Sequence, residues 1–296
     1  MPSPTKHIFF SPARIWAIAT NTLLELFRLK VFYFLLIFAI FLIGSSAFMI
    51  EFTFQEQFQL LKDVSLGAMS IFTWLLAVLT TAMLLPKDIE DRTLYTILAK
   101  PVPRLEYLIG KLLGILFMLF IATLLMSAIF VLALYGRQQY VLAETLRTSV
   151  GMPPDQLAAT LREVHNSTFT VSLIPGIAII YIVAAIFASL TLFISTFASS
   201  MVFTIMVSIA VYLIGLLQGI ARDYWLGNVT TGVLPRIFLA FVALIFPDLQ
   251  LFNVVDDIVA GNSISFILFA KTAALGGLYT FIYLLVAYFA FASKEL

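Results

Sequence analysis

Apolar residues run in long blocks along this chain, and polar residues gather in short clusters between them. From Val31 to Ile50, 20 consecutive positions carry no formal charge, and about 20 apolar residues are what a helix needs to cross the hydrocarbon of a bilayer. The same pattern predicts further spans over residues 66–86, 112–135, 171–196, 201–220 and 264–292. Only Phe197 to Ser200 separates the fourth span from the fifth, which predicts a tight antiparallel hairpin. Ahead of the first span, Ser11-Pro12 is a helix start, a side-chain cap followed by proline at the first helical position. Arg14, Asn21, Glu25 and Arg28 then fall on one narrow stripe, with Ile15, Trp16, Ile18, Ala19, Leu23, Leu26 and Phe27 covering most of the rest. This predicts a helix over residues 11–30 lying in the membrane interface. A helix packed on a partner is the other reading of that stripe.

Between spans the pattern is less regular. Glu51 to Ser65 is a short polar connection. Residues 136–170 are too long for a bare loop; Gly151-Met-Pro-Pro-Asp divides them into two short helices, with Leu157, Leu161 and Val164 on one face of the second, predicting a helical hairpin that caps the extracytoplasmic side. Ile237 to Phe246 is wholly apolar but framed by Pro235 and Pro247. Its helix would rise only about 15 Å, half the hydrocarbon thickness, so it reads as a re-entrant or interfacial half-helix. Asp248 to Ser263 then mixes acids with apolar residues before the last span.

Composition turns this pattern into a class. With 62% hydrophobic and 11% charged residues and a mean hydropathy of +1.06, the chain takes membrane lipid as its solvent, as one transmembrane domain over residues 1–296. A net charge of +1 and the lack of a basic stripe exclude nucleic acid as a partner. The sequence has no cysteine, which removes disulfides, thiolate metal sites and thiol nucleophiles. Gly110-Lys111 is not a phosphate-cradling loop, because leucine follows it and no glycine stands five positions earlier. His7 and His165 are the only histidines, too few for a histidine-based triad or metal site. The chain is therefore not expected to be an enzyme.

Serines and threonines within spans, such as Ser189, Thr191, Ser195 and Ser208, suit helix–helix packing and hydrogen bonding. Lys271 is the one ionisable residue within the predicted spans and sits near a helix end, where a lysine snorkels to the interface. Asp256 and Asp257 read as a solvated turn, having too few oxygen neighbours for a cation. Basic residues favour cytoplasmic segments. With both termini inside, ten fall on the cytoplasmic side and six on the outside.

The densest charge lies in 87–111, KDIEDRTLYTILAKPVPRLEYLIGK, which holds nine charged residues and falls on the cytoplasmic side. Asp88 is placed to cap a short helix with Glu90 and Asp91 in its first turn, where the helix dipole favours acids. Leu94, Ile97 and Leu98 form one face, and Lys100-Pro101 ends it. Composition alone leaves two roles open: a peg for a socket on another protein, or a helix tucked against the membrane.

The run Glu90-Asp91-Arg92-Thr93-Leu94, then Leu98, Lys100-Pro101, Arg104 and Gly110-Lys111, resembles the cytoplasmic-loop signature of type-2 ATP-binding-cassette (ABC) exporter permeases, E-x-G-T-L followed by L-x-x-P-x-x-R and G-K. The entry helix, the six spans and Pro247-Asp-Leu-Gln-Leu-Phe-Asn253 before the last span are similar to the same family, so the resemblance covers nearly the whole chain. Arg92 departs from it, standing where the family often has glycine. The resemblance implies an all-α polytopic membrane protein of six transmembrane helices, with an N-terminal interfacial elbow helix, a cytoplasmic coupling helix and a re-entrant extracytoplasmic gate segment over 237–263. It implies ATPase coupling through Glu90, Asp91, Arg92, Thr93, Leu94, Ile97, Leu98, Lys100, Pro101 and Arg104, and a gate using Pro247, Asp248, Asn253, Asp256 and Asp257. The implied partners are two copies of an ABC ATPase subunit and a second permease copy or a related permease. ATP and magnesium would sit on the ATPase, with no cofactor in this chain. The implied function is export or flipping of a hydrophobic or amphipathic substrate across the plasma membrane, as in a bacterial inner membrane. A membrane anchor, sensor or assembly subunit that uses this fold without moving a solute is the alternative.

Overall fold

The computed structural model describes residues 11–46, 54–90, 103–148, 153–170, 172–198, 200–227 and 245–292, with isolated positions between 234 and 242. Its elements are α1 (Pro12–Phe27), α2 (Lys30–Ser46), α3 (Phe54–Glu90), α4 (Arg104–Thr148), α5 (Pro154–Thr168), α6 (Leu173–Phe197), α7 (Met201–Gly227), a 3-10 turn (Leu249–Phe252), α8 (Val255–Val259) and α9 (Phe266–Ala292). No strand occurs among the described residues. Among the described residues, five segments are long and apolar enough to cross a membrane: Gln57–Leu84, Arg104–Thr148, Leu173–Phe197, Met201–Arg222 and Phe266–Ala292. The pair α1 and α2, bent by 67° at Arg28-Leu29, adds a sixth if counted as one broken span.

Helices continue well past the apolar blocks that announce them. In α3, 37 residues long with Pro86 inside, the polar stretch before Leu66 is already helical. In α4, 45 residues form one uninterrupted helix, about 68 Å at the standard rise. Backbone hydrogen bonding carries a helix on into polar residues, and hydropathy registers only its apolar part. Two expectations change as a result. Residues from Gly136 to Thr148 extend α4 instead of forming a separate first helix of a hairpin, while α5 supplies the second. Asp88 does not cap a new helix, because α3 runs through it to Glu90.

The centre of the bundle is α6. Two-thirds of its apolar window is buried, against about a quarter for α7 and α9, and it packs on α3, α4, α7 and α9. Small residues make this close packing possible. A Cβ at Gly276 of α9 would come within 2.2 Å of Ile182 Cγ2, and one at Gly176 would meet Ile258 Cδ1 at 2.1 Å. Thr191 and Ser208 share a buried 3.1 Å hydrogen bond between α6 and α7, and Ser46 and Ser65 one of 3.2 Å between α2 and α3. Trp74, Phe187 and Tyr212 from α3, α6 and α7 form an aromatic cluster with centroids 4.2–6.1 Å apart. On the outside, α2 exposes Phe34, Ile37 and Phe41, and α7 exposes Val202, Met206 and Leu217. Lys271 is exposed on the first turns of α9.

Along α4, Gly110 and Gly114 admit α1. A Cβ at Gly114 would lie 2.7 Å from the Ala19 carbonyl oxygen and 2.6 Å from Thr22 Cβ, positions fixed by the α1 backbone. Gly114→Ala is expected to lower stability by about 1–3 kcal/mol, the usual cost of overpacking. Gly44→Ala, with no atom within 4 Å, is not expected to destabilise. Thermal unfolding of the detergent-solubilised variants compares the two.

Candidate functional site

The loop that joins α3 to α4 opens onto the foot of α4, and three side chains there tie other helices to it. Glu106 is almost fully buried, at 1% exposure. Its carboxylate accepts the Ser11 backbone N–H at 3.0 Å and a fork from Arg14, Nε at 2.7 Å and Nη2 at 2.9 Å. This arrangement fixes the start of α1 with charge-assisted bonds. Lys111, one and a half turns on, reaches Glu25 near the end of α1 at 3.5 Å and lies over the Tyr107 ring at 5.8 Å. The polar stripe of α1 is thus partly spent on α4, and the helix buries Ile15, Ala19, Thr22 and Leu26 while exposing Trp16 and Leu24. Arg104, the first residue of α4, donates to the carbonyls of Phe291 at 2.8 Å and Ala292 at 2.7 Å. A cation on the last carbonyls of a helix satisfies acceptors that lack intrahelical partners and complements the dipole. Stacking of Tyr107 on Phe291, centroids 6.0 Å apart, completes the joint.

Of the residues predicted for coupling, Arg104 is at this foot and Glu90 is the last residue of α3. Asp91, Arg92, Thr93, Leu94, Ile97, Leu98, Lys100 and Pro101 lie outside the described residues, as does the side chain of Glu90. Glu106 is in the same stretch but has no role in the sequence pattern. Only the tertiary contact with Arg14, 92 positions away, reveals one. The spacing Gly110-x-x-x-Gly114 is a sequence signal for a close helix contact on this face, without naming the helix that makes it.

A second constellation forms at the opposite end of the bundle. Asp248 is buried, pairs with Arg222 near the end of α7, and caps the 3-10 turn by accepting from Gln250 N–H at 3.0 Å. The turn lies on a bare strip of α7. A Cβ at Gly215 would be 2.7 Å from the Pro247 carbonyl oxygen, and one at Gly219 would be 2.1 Å from Gln250 Cγ. Tyr283 of α9 donates to the Ile245 carbonyl at 2.7 Å. Asn253 donates to Asp256 at 3.0 Å and Asn262 to Asp257 at 3.4 Å, both pairs exposed. These are local turn contacts, and no group of three or more His, Cys, Asp or Glu suited to a metal occurs among the described residues. Gly261, with φ of 82°, turns the chain toward α9, a conformation that favours glycine. Residues Ile237 to Phe246 are described only in part.

At the same end, α5 folds back on α4. Lys62 of α3 is 2% exposed, and its ammonium donates to the Ser167 carbonyl at 2.7 Å and Thr170 Oγ1 at 3.0 Å. It caps the end of α5 as Arg104 caps α9. Arg137 donates to Gln57 at 2.8 Å, and Gln138 shares a 3.0 Å hydrogen bond with His165. In the sequence Lys62 is one charge of the polar connection Glu51 to Ser65, and its acceptors are more than 100 positions away.

These features define a multi-pass membrane protein built as a helical bundle with tied ends. The family model of the ABC-2 family transporter protein matches residues 16–296, and the chain belongs to that family. It is a membrane transport component, a permease subunit of an ABC transporter, and is not itself catalytic. No curated protein matches the sequence significantly.

Two measurements check the joints. Glu106→Gln is expected to speed amide hydrogen exchange across Pro12–Phe27 while leaving Leu173–Phe197 protected. Lys62→Met, which leaves the Ser167 carbonyl without its charged donor, is expected to cost about 1–3 kcal/mol in thermal unfolding.

Proposed function

We propose that the loop between α3 and α4 receives motion from a separate ABC ATPase and that this chain is the permease through which a hydrophobic or amphipathic molecule is exported or flipped. The observation that carries the reading is the foot of α4. The loop leads directly into a helix start to which α1 and α9 are bound through Glu106, Lys111 and Arg104, so displacement of the loop shifts three helices together. Family membership supports an ATPase partner, and ATP and magnesium belong to that subunit. Two ATPase copies and a second permease, identical or related, would complete the assembly. The bias of basic residues supports placing the loop, α1 and both termini in the cytoplasm of a bacterial cell. The segment held by Asp248 and Arg222 then faces outward as the gate, with Pro247, Asn253, Asp256 and Asp257 along it.

Charge reversal at Glu90 or Asp91, or Leu94→Asp, is expected to abolish ATP-driven transport in reconstituted vesicles while the permease still folds and inserts. Transport at the parent rate in all three would remove the loop from coupling. Co-purification with an envelope-assembly complex that has no ATPase would favour the anchor or assembly role instead.

A further inference from the structure

The α5–α6 connector is bonded on both sides. On one side, Lys62 of α3 holds Ser167 and Thr170, and the Thr170 carbonyl accepts from Leu173 N–H at 3.0 Å as α6 begins. On the other, the Ser172 hydroxyl donates to the Asn262 carbonyl at 2.9 Å and accepts from Ile264 N–H at 3.1 Å. A single side chain, 2% exposed, therefore satisfies two backbone groups of the segment that joins α8 to α9. Ile258 of α8 closes on Gly176 one turn further along α6. Behind the connector stands a continuous frame. The two helices that flank the coupling loop, α3 and α4, are cross-tied at this far end by Arg137 to Gln57. α5 is fixed to the pair through Lys62, through Gln138 with His165, and through buried Val164. Each helix is unbroken from the loop to these ties, and packed helices shift as whole elements instead of deforming continuously.

We propose that α3, α4 and α5 form a lever that carries displacement of the coupling loop to the outer gate segment, and that Ser172 is the positioning residue that attaches the lever to the gate. This rests on the coupling reading above. The chain's own geometry favours this route: frame, connector and gate follow one another through hydrogen bonds, α8 also packs directly on α3, and the Ser172 hydroxyl serves as both donor and acceptor where connector and gate meet. The test perturbs one joint and reads another.

The sequence contains no cysteine, so spin labels can be placed on engineered pairs in the full complex with its ATPase. Three pairs read the three stages: Thr20 with Ser200 at the loop end, Ala159 with Ile220 for the arm, and Ser263 with Ile220 for the gate. All five positions are exposed. On trapping the nucleotide-bound state, all three distances are expected to shift in the parent. In Ser172→Ala the first two shifts persist and the gate shift falls to less than half, since α8 keeps its direct packing on α3. In Lys62→Met the loop-end shift persists while the arm and gate shifts shrink. A gate shift unchanged in Ser172→Ala overturns the proposal, as does a gate that responds while the arm is still. Loss of the loop-end shift in both variants overturns it too, since a positioning role leaves that end responsive. A loop-end pair silent in the parent overturns the coupling reading itself, and the lever with it.

Discussion

The foot of α4 is the joint on which the rest of the arrangement depends. Within about three turns it presents Arg104, Glu106, Gly110, Lys111 and Gly114, and each meets another helix. The glycines bring α1 close enough for its backbone to touch α4, and at that separation the Glu106 carboxylate and the Arg14 guanidinium meet without strain. Burying a carboxylate is costly unless it is paired and hydrogen-bonded. Glu106 accepts from three donors, so the charge and the packing require each other. Without the glycines, Glu106 would lose Arg14; without Arg14, the close approach would bury an unpaired acid.

At the opposite end the same solution recurs in a different form. Lys62 on the carbonyl end of α5 repeats what Arg104 does for α9, and Asp248 does the converse at the start of the 3-10 turn. Helix ends leave backbone groups unpaired. In a protein whose surface is mostly apolar, these few charges are placed where such groups accumulate. That economy explains how a chain with only 11% charged residues pairs the backbone groups of these helix ends. It also explains why charges that look like loop solubilisers in the sequence prove to be fasteners.

Between these ends the bundle is held by close packing around α6, with the Thr191–Ser208 hydroxyl pair and aromatic contacts among its helices. Among the described residues, the buried hydroxyls of Thr73 and Thr81 and the Trp74 indole N–H meet no hydrogen-bond partner.

By itself, the sequence determined the class, the all-helical character, the apolar blocks and the hairpin at Phe197 to Met201, because hydrophobic periodicity and block length are local properties that the bilayer constrains strongly. The motif from Glu90 to Lys111 also carried the family resemblance. Helix ends were less legible: Asp88 has every local feature of a cap, yet α3 runs through it, since hydrogen bonding from the preceding turns outweighs a capping preference. Partners were not legible at all. The meetings of Glu106 with Arg14, Lys62 with Ser167 and Ser172 with Asn262 span about 90 to 105 positions, and no spacing rule reaches that far. Only tertiary packing, by bringing α1 to α4 and α5 to α3, decided which charges would be joints and which would face solvent.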